Sequence, residues 1–130
     1  MGRQRNQKAA LLSKPIKHID IQNFDSTLLI DAMDSMSFSS RELSKGTTIF
    51  NDMLRDKDCT IILTLAGSTS AAGCMKIYSD LVKYNMVDVI VATGASIVDM
   101  DFFEALGFRH YQAEKTVSDE KLRSLYINRI

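Results

Sequence analysis

Residues 59–99 read CTIILTLAGSTSAAGCMKIYSDLVKYNMVDVIVATGASIVD. An apolar run at 60–65 ends in a cluster of small residues at 66–73, and a helix-like segment follows to about Tyr84. A second apolar run at 87–92 ends in the small residues 93–96, and a second helix-like segment begins near Val98. Two strands that each open into a small-residue turn and then a helix are the plan of a nucleotide-binding α/β sheet.

The two apolar runs are predicted to be neighbouring parallel strands. Both are short, continuous and rich in aliphatic residues, which is typical of strands buried on both faces. The connection between them is long enough for a right-handed crossover that contains a helix. Because ligands of open α/β sheets bind at the carboxyl ends of parallel strands, the two small-residue turns should lie side by side at one edge.

The two turns supply the candidate ligand-binding residues. A turn without large side chains lets backbone amides approach a ligand, and the N-terminus of the following helix favours an anion such as a pyrophosphate. The turns match neither of the two glycine-rich phosphate-binding motifs, so tight packing of helix on strand explains the small residues equally well. The candidates are Gly67, Ser68, Thr69, Ser70 and Ala71 in the first turn, and Thr93, Gly94 and Ala95 in the second.

Two acidic residues, Asp99 and Asp101, follow the second turn. A carboxylate at this position could bind a ribose hydroxyl or the ammonium group of a substrate. Equally, carboxylates in the first turn of a helix complement the helix dipole without any ligand.

The flanking segments are predicted to be mainly helical. Residues 1–12 are basic and have no period, so we expect a disordered tail. Residues 13–25 contain the only proline and are expected to be an extended lead-in. Asp25 or Ser26 should cap a helix that runs to about Met36, and the capping-box spacing of Ser39 and Glu42 predicts the start of a second helix.

The last part of the chain is predicted to hold two more helices and a connection. Gly107 should end the helix that begins near Val98, and residues 108–117 form a connection with at most one short strand. Ser118 should cap a final helix whose apolar face carries Leu122, Leu125, Tyr126 and Ile130. That pattern is unbroken at Ile130, and two central-type strands are too few to be stable alone, so the sequence predicts an α/β domain that is truncated here.

Composition narrows the classes of function. Formal net charge is zero, which predicts no nucleic-acid partner, and no apolar run reaches the roughly 20 residues of a membrane-spanning helix. No hydrophobic signal core follows the basic start, and a reducing cytoplasmic location fits the two cysteines, Cys59 and Cys74, which have no metal-ligand spacing. Neither His18 nor His110 has a nearby ligand or nucleophile in the sequence, and His110 is interpreted as a packing residue.

Residues 63–111 closely resemble deoxyhypusine synthase, and they look most like the archaeal-type branch of that family. The segments LTLAG at 63–67 and VDVIVATGA at 87–95 carry the resemblance. The segments at 15–20, 38–43 and 122–130 resemble the same family in the same order. The similarity therefore covers the chain from about residue 13 to 130, as the N-terminal portion of an NAD-binding domain.

The resemblance implies a Rossmann-like parallel sheet flanked by helices, and a homotetramer. The family uses NAD to oxidise spermidine and transfers the aminobutyl group to one lysine of the translation factor 5A precursor. Its serine-rich NAD loop matches the first turn, Gly67, Ser68, Thr69, Ser70 and Ala71. Its second NAD turn matches Thr93, Gly94 and Ala95, and the acidic residue that serves both NAD and spermidine matches Asp99.

Two departures from the family pattern leave alternatives open. Many relatives carry two adjacent acids after the second turn, whereas Val98 precedes Asp99 here. The lysine that forms the imine lies in a part of the family that this chain does not match, so no catalytic residue is assigned and the 130 residues alone are expected to be inactive. The alternatives are a homospermidine synthase-like or other small-amine transferase, and a non-catalytic short paralogue that assembles with a full-length subunit.

Overall fold

The computed structural model describes residues 2–114 and 116–130, so Met1 and Lys115 lie outside the described residues. The chain divides into two compact units. The first comprises residues 1–19, 65–75 and 92–130, and the second comprises residues 20–64 and 76–91. Every residue predicted to bind a ligand belongs to the first unit.

A two-stranded sheet forms from β1 (Ile62–Leu65) and β2 (Val89–Ala92). The carbonyl oxygen of Ile61 accepts hydrogen bonds from the amides of Asp88 and Val89, and four residues later the carbonyl of Leu65 accepts from Thr93. Because the partners advance together along the chain, the strands are parallel, as predicted. The Asp88 carboxylate also accepts from the amide of Ile61 at 2.8 Å, which fixes the start of the pair.

The expectation that both strands are buried on both faces was wrong. Residues along β1 and β2 alternate between exposed and half-buried. The alternation arises because, in the described chain, only one face of the pair receives packing. The α/β class is confirmed by the parallel pair and its helices.

The second unit also contains α2 (Thr27–Met33), α3 (Phe38–Arg55) and most of α4 (Met75–Lys83). The N-cap residue of α2 is Ser26, whose side chain makes no cap bond. The carboxylate of the preceding Asp25, the other predicted cap, accepts from the amide of Thr27 at 2.9 Å. The predicted capping box of α3 does not form, since α3 begins at Phe38 and its N-cap residue Ser37 makes no side-chain cap bond. The apolar period of α3 predicts inward positions for Leu43, Ile49, Phe50, Met53 and Leu54, but Leu43, Ile49 and Leu54 are exposed.

The first unit begins with a helix where a disordered tail was predicted. Helix α1 spans Gly2–Leu11. Its residues have no amphipathic period, and long-range contacts support it instead: Lys8 Nζ donates to the carbonyl of Tyr126 at 3.5 Å, and Lys121 Nζ donates to Gln7 Oε1. The prediction failed because these contacts join segments more than a hundred residues apart.

A wide, π-helical turn, Ser70–Cys74, connects the first small-residue cluster to α4. Gly73 lies within it at φ 107° and bends the chain away from regular helical geometry. The carbonyl of Gly73 accepts from the amide of Ile19 at 2.9 Å, and a Cβ atom at Gly73 would lie 3.1 Å from the carbonyl of Lys17. Glycine is therefore required by both the backbone conformation and the close approach of the lead-in.

The helix after β2 begins earlier than predicted. It consists of α5 (Gly94–Ser96), a π-helical segment (Ile97–Phe102) and α6 (Phe103–Ala105). The second small-residue cluster is therefore itself the first turn of this helix. Gly107 follows at φ 94°, and its amide donates to the carbonyl of Glu104, which confirms the predicted stop.

The connection at 108–117 contains one isolated antiparallel bridge, between Pro15 and Tyr111, within the described residues. Lys115 belongs to this predicted connection but lies outside the described residues. The bridge is flanked by hydrogen bonds from the amide of Ile16 to the carbonyl of His110 and from the amide of Gln112 to the carbonyl of Lys14, both at 2.8 Å.

The final helix α7 (Asp119–Ser124) is capped by Ser118, whose hydroxyl accepts from the amide of Lys121 at 3.3 Å. The cap was predicted, but the helix is shorter than its apolar pattern. It ends as the chain reverses at Tyr126, which has φ 55°. Leu122 and Leu125 are each only 4% exposed, whereas Tyr126 is 92% and Ile130 65% exposed. The predicted common apolar face therefore splits into a buried and an exposed pair.

Candidate nucleotide-binding site

The two small-residue turns are in direct contact. The Ser96 hydroxyl donates to the carbonyl oxygen of Gly67 at 2.5 Å, and Ser96 is fully buried. The amide of Thr93 also donates to the carbonyl of Leu65 at 3.2 Å, where both strands end. The prediction that the turns lie side by side at the carboxyl edge of two neighbouring parallel strands is confirmed.

The first turn presents open backbone at Gly67. This residue is exposed at φ 76°, a conformation that favours glycine, and no atom lies within 4 Å of the position a Cβ would take. Ser68, Thr69 and Ala71 are half-buried. An approaching group could therefore reach the Gly67 backbone without displacing a side chain.

Ser70 carries the least expected feature of this turn. It is only 1% exposed, and its hydroxyl has no hydrogen-bond partner among the described residues. Buried hydroxyls are normally paired, and an unpaired one calls for a specific reason, such as a ligand or water that completes it. Sequence reasoning predicted Ser70 as a lining residue but gave no sign that it is buried.

The second turn is positioned by the start of α5. Thr93 is in an extended conformation, and the amide of Ser96 donates to its carbonyl at 3.0 Å. Thr93 and Gly94 are exposed and Ala95 is half-buried. The space at Gly94 is also open, since a Cβ atom added there would have no neighbouring atom within 4 Å.

The two acidic candidates have different surroundings. Asp99 is exposed in the first turn of the segment Ile97–Phe102, so its carboxylate is accessible to a cation. Asp101 is half-buried, and its Oδ1 atom is buried without a hydrogen-bond partner among the described residues. Of the two, Asp99 is the more accessible to a soluble ligand.

A cluster that sequence reasoning missed joins His18, Glu104 and His110. Nε2 of His18 lies 2.6 Å from one carboxylate oxygen of Glu104, and Nδ1 of His110 lies 2.6 Å from the other. An ionised carboxylate only accepts hydrogen bonds, so both ring nitrogens donate. The three side chains are 12–17% exposed. No pattern could have revealed the cluster, because His18 and Glu104 are 86 residues apart.

Burial of the Glu104 carboxyl raises its pKa, but the hydrogen bonds from His110 and His18, with the charges of both rings, outweigh burial. The pKa is therefore lowered from its ordinary value of 4.5. A recess of about 260 Å³ adjoins the cluster and is lined by Ile16, His18, Glu104, Gly107, Phe108 and Arg109.

The described part of the chain has neither a membrane span nor a metal cluster. Within residues 2–114 and 116–130, no helix is long and apolar enough to cross a membrane. The same residues contain no group of three or more histidine, cysteine or acidic side chains with the geometry of a metal site.

Comparison with known protein families shows which family this chain belongs to. The family model described as deoxyhypusine synthase matches residues 28–130. The chain belongs to the deoxyhypusine synthase family. The match includes both small-residue turns, Asp99 and Glu104, while His18 lies before its first residue.

Individual relatives extend the match toward the N-terminus. A deoxyhypusine synthase-like protein of Coxiella burnetii (strain RSA 493 / Nine Mile phase I) is 68% identical over 123 residues, covering 95% of this chain and 35% of the relative. One from Chlorobaculum tepidum is 47% identical over 130 residues, covering 100% of this chain and 37% of the relative. The probable deoxyhypusine synthase 2 of Methanosarcina acetivorans is 34% identical over 118 residues, covering 91% of this chain and 34% of the relative. The chain thus spans about a third of the length of these relatives.

Proposed function

We propose that the protein is a deoxyhypusine synthase-like transferase that uses NAD to move the aminobutyl group of spermidine to an amine acceptor. Bound NAD would supply the hydride acceptor for oxidation of the polyamine. The residues of this chain would hold the nucleotide at the two turns, as part of a Rossmann-like domain. The family to which the chain belongs supports the transferase assignment.

The contact between Ser96 and Gly67 is the observation that carries the proposal. It brings two backbone-rich turns together at the carboxyl ends of parallel strands, which is where open α/β sheets bind nucleotides. The unpaired hydroxyl of buried Ser70 fits the same interpretation, because a polar ligand at the first turn would complete its hydrogen bonding.

Each predicted residue then has a physical role. Gly67 and Gly94 leave room for close approach to the backbone, and the hydroxyls of Ser68, Thr69, Ser70 and Thr93 are donors for phosphate or ribose oxygens. The short side chains of Ala71 and Ala95 leave the space beside the turns unobstructed. Asp99 is a negative charge beside the second turn and would attract an ammonium group of spermidine or a ribose hydroxyl.

The acceptor that we propose is a lysine of the translation factor 5A precursor, with the protein acting as a cytoplasmic homotetramer. The residues of this chain would supply nucleotide positioning, and the reacting lysine of the family is not assigned among them. A small amine is the alternative acceptor. Incubating the full-length protein with NAD and labelled spermidine, and either precursor protein or putrescine, distinguishes them by which product carries the label.

The nucleotide site is tested by Ser70→Ala in the full-length protein. Removing an unpaired buried hydroxyl should change the free energy of unfolding by less than about 1 kcal/mol, while NAD binding loses a donor and weakens. Isothermal calorimetry with NAD and denaturant unfolding measure the two quantities. The control is Ser124→Ala, which removes an exposed hydroxyl bonded to the carbonyl of Lys121 within α7. A wild-type protein that fails to bind NAD, or a Ser70 variant with undiminished affinity, would contradict the proposed site.

A further inference from the structure

The lead-in segment, residues 14–19, contacts both of the helices that follow the two turns. At one end, the amide of Ile19 donates to the carbonyl of Gly73 at 2.9 Å, in the π-helical turn after the first small-residue turn. Next to it, His18 donates to Glu104 in α6, at the end of the helix that begins at Gly94. We call residues 14–19 the strap.

The strap is held firmly on the side of the second helix. Its backbone pairs with residues 110–112 through two hydrogen bonds of 2.8 Å and the bridge between Pro15 and Tyr111. Glu104 adds a second connection, since one of its carboxylate oxygens accepts a hydrogen bond from His18 of the strap and the other accepts one from His110 beside that bridge. On the side of the first helix, the bond from Ile19 to Gly73 links the two backbones.

Together with the chain, these contacts form a closed circuit of links that includes both turns. Ser96 joins the two turns directly through the carbonyl of Gly67. The strap joins the two helices behind them, through Gly73 on one side and Glu104 on the other. His18 and Ile19 are adjacent in sequence, so the bond to Glu104 and the bond to Gly73 anchor neighbouring residues of the strap. A shift of the strap would therefore reach the first turn six residues before Gly73, at Gly67.

We propose that His18 and Glu104 are positioning residues, which hold the strap so that the two turns keep the spacing needed for the nucleotide. This inference rests on the proposed function, because it concerns the same nucleotide site. Neither residue needs to touch the ligand. Their effect on affinity would pass through the Ile19–Gly73 hydrogen bond to the first turn and through the α6 helix to the second.

Substitutions of His18 in the full-length protein test the link. His18→Leu removes the donor, whereas in His18→Gln the amide nitrogen can take the place of Nε2 and donate to Glu104. We expect His18→Leu to speed hydrogen exchange at the Ile19 amide and to weaken NAD binding by roughly 2- to 30-fold, the range of couplings carried by residues that contact neither ligand. His18→Gln should restore both quantities to near the wild-type values.

Glu104→Leu provides the second half of a double-mutant cycle. If the two residues act as a pair, the double variant should bind NAD no more weakly than Glu104→Leu alone, because the loss of Glu104 already abolishes the link to His18. Glu42→Gln is the matched control, since Glu42 forms a surface ion pair with Lys45 on α3 in the other unit. If Glu104→Leu does not fold, the comparison of His18→Leu with His18→Gln decides alone.

The outcomes separate this inference from the function on which it rests. Faster exchange at Ile19 with unchanged NAD affinity in His18→Leu would reduce the pair to a purely structural contact and overturn the positioning role. Unchanged exchange would overturn it as well, whatever the affinity. A wild-type protein that binds no NAD overturns the proposed function and the positioning role together, and that result is seen before any variant is made.

Discussion

The hydroxyl of Ser96 donates to the carbonyl oxygen of Gly67 at 2.5 Å, and this bond joins the two turns that follow the paired strands. Ser96 lies 29 residues after Gly67 and is fully buried, so its hydroxyl is shielded from competing water. The relative position of the turns therefore depends on one side chain as well as on the sheet.

Ser96→Ala should remove the hydrogen bond that joins the two turns. The carbonyl of Gly67 would lose its partner, and an unsatisfied acceptor costs about 1–3 kcal/mol when buried; because Gly67 is exposed, we expect about 1 kcal/mol or less in the free energy of unfolding. NAD affinity should fall more clearly, because the backbone of both turns would lose its fixed spacing. Denaturant unfolding and calorimetry measure the two effects, and equal NAD affinity in the variant would show that the bond is irrelevant to the site.

Gly73→Ala and Gly46→Ala should change stability in opposite directions. Gly73 has φ 107°, and an added Cβ would lie 3.1 Å from the carbonyl of Lys17, so alanine there brings backbone strain of about 1–2 kcal/mol and displaces the strap. Gly46 lies inside α3, where a Cβ atom would meet no atom within 4 Å outside the helix's own backbone, and alanine there should stabilise by about 0.5–1 kcal/mol. Thermal unfolding of both variants is the measurement, and a tolerated Gly73→Ala would mean that the π-helical turn adapts freely.

Alanine substitutions at the buried and the exposed end of the last apolar pattern should change stability by unequal amounts. Leu122 is 4% exposed, so Leu122→Ala removes buried methyl groups and should cost about 2–5 kcal/mol. Ile130 is 65% exposed, and Ile130→Ala should change the free energy of unfolding by no more than about 0.5 kcal/mol. Chemical denaturation tests both, and similar losses at the two positions would restore the single apolar face expected from the sequence.

Local signals in the sequence were sufficient for the elements around the site. The alternation of apolar runs with small residues identified both strands, and crossover length identified their parallel pairing. The side-chain bonds at Asp25 and Ser118, whose donors are two and three residues away, were predicted correctly, although the capping box of Ser39 and Glu42 was not formed. These features depend on neighbouring residues, which a single sequence displays directly.

The features that could not be predicted depend on contacts between distant segments. Helix α1 is supported by contacts of Lys8 and Gln7 with residues beyond 120, which leave no period in its own sequence. The burial of Ser70 results from packing of the turn as a whole. The sequence shows no partner near His18 and favours a packing role for His110, and only the fold brings both rings to the same carboxylate.

The lowered pKa of Glu104 predicts a loss of stability in acid. A carboxyl group whose pKa is lower in the folded state than in the unfolded chain contributes stability that is fully present above the unfolded value, here the ordinary 4.5. As the pH falls below that value, the unfolded chain takes up the proton first, and the contribution disappears as the pH passes through the lower, folded pKa. The wild-type protein should therefore lose free energy of unfolding steadily below about pH 4.5.

Glu104→Gln should remove this part of the pH dependence, because the amide does not titrate. Urea unfolding at several pH values between about 3 and 6 gives the slope of stability against pH for each protein. The variant should be less stable than the wild type at pH 6, and the difference should shrink as the pH falls. Asp119→Asn is the control, since Asp119 is 80% exposed beside Arg129 and its loss should leave the slope nearly unchanged. Parallel slopes for the wild type and Glu104→Gln would mean that the bonds from His18 and His110 do not favour the ionised carboxylate.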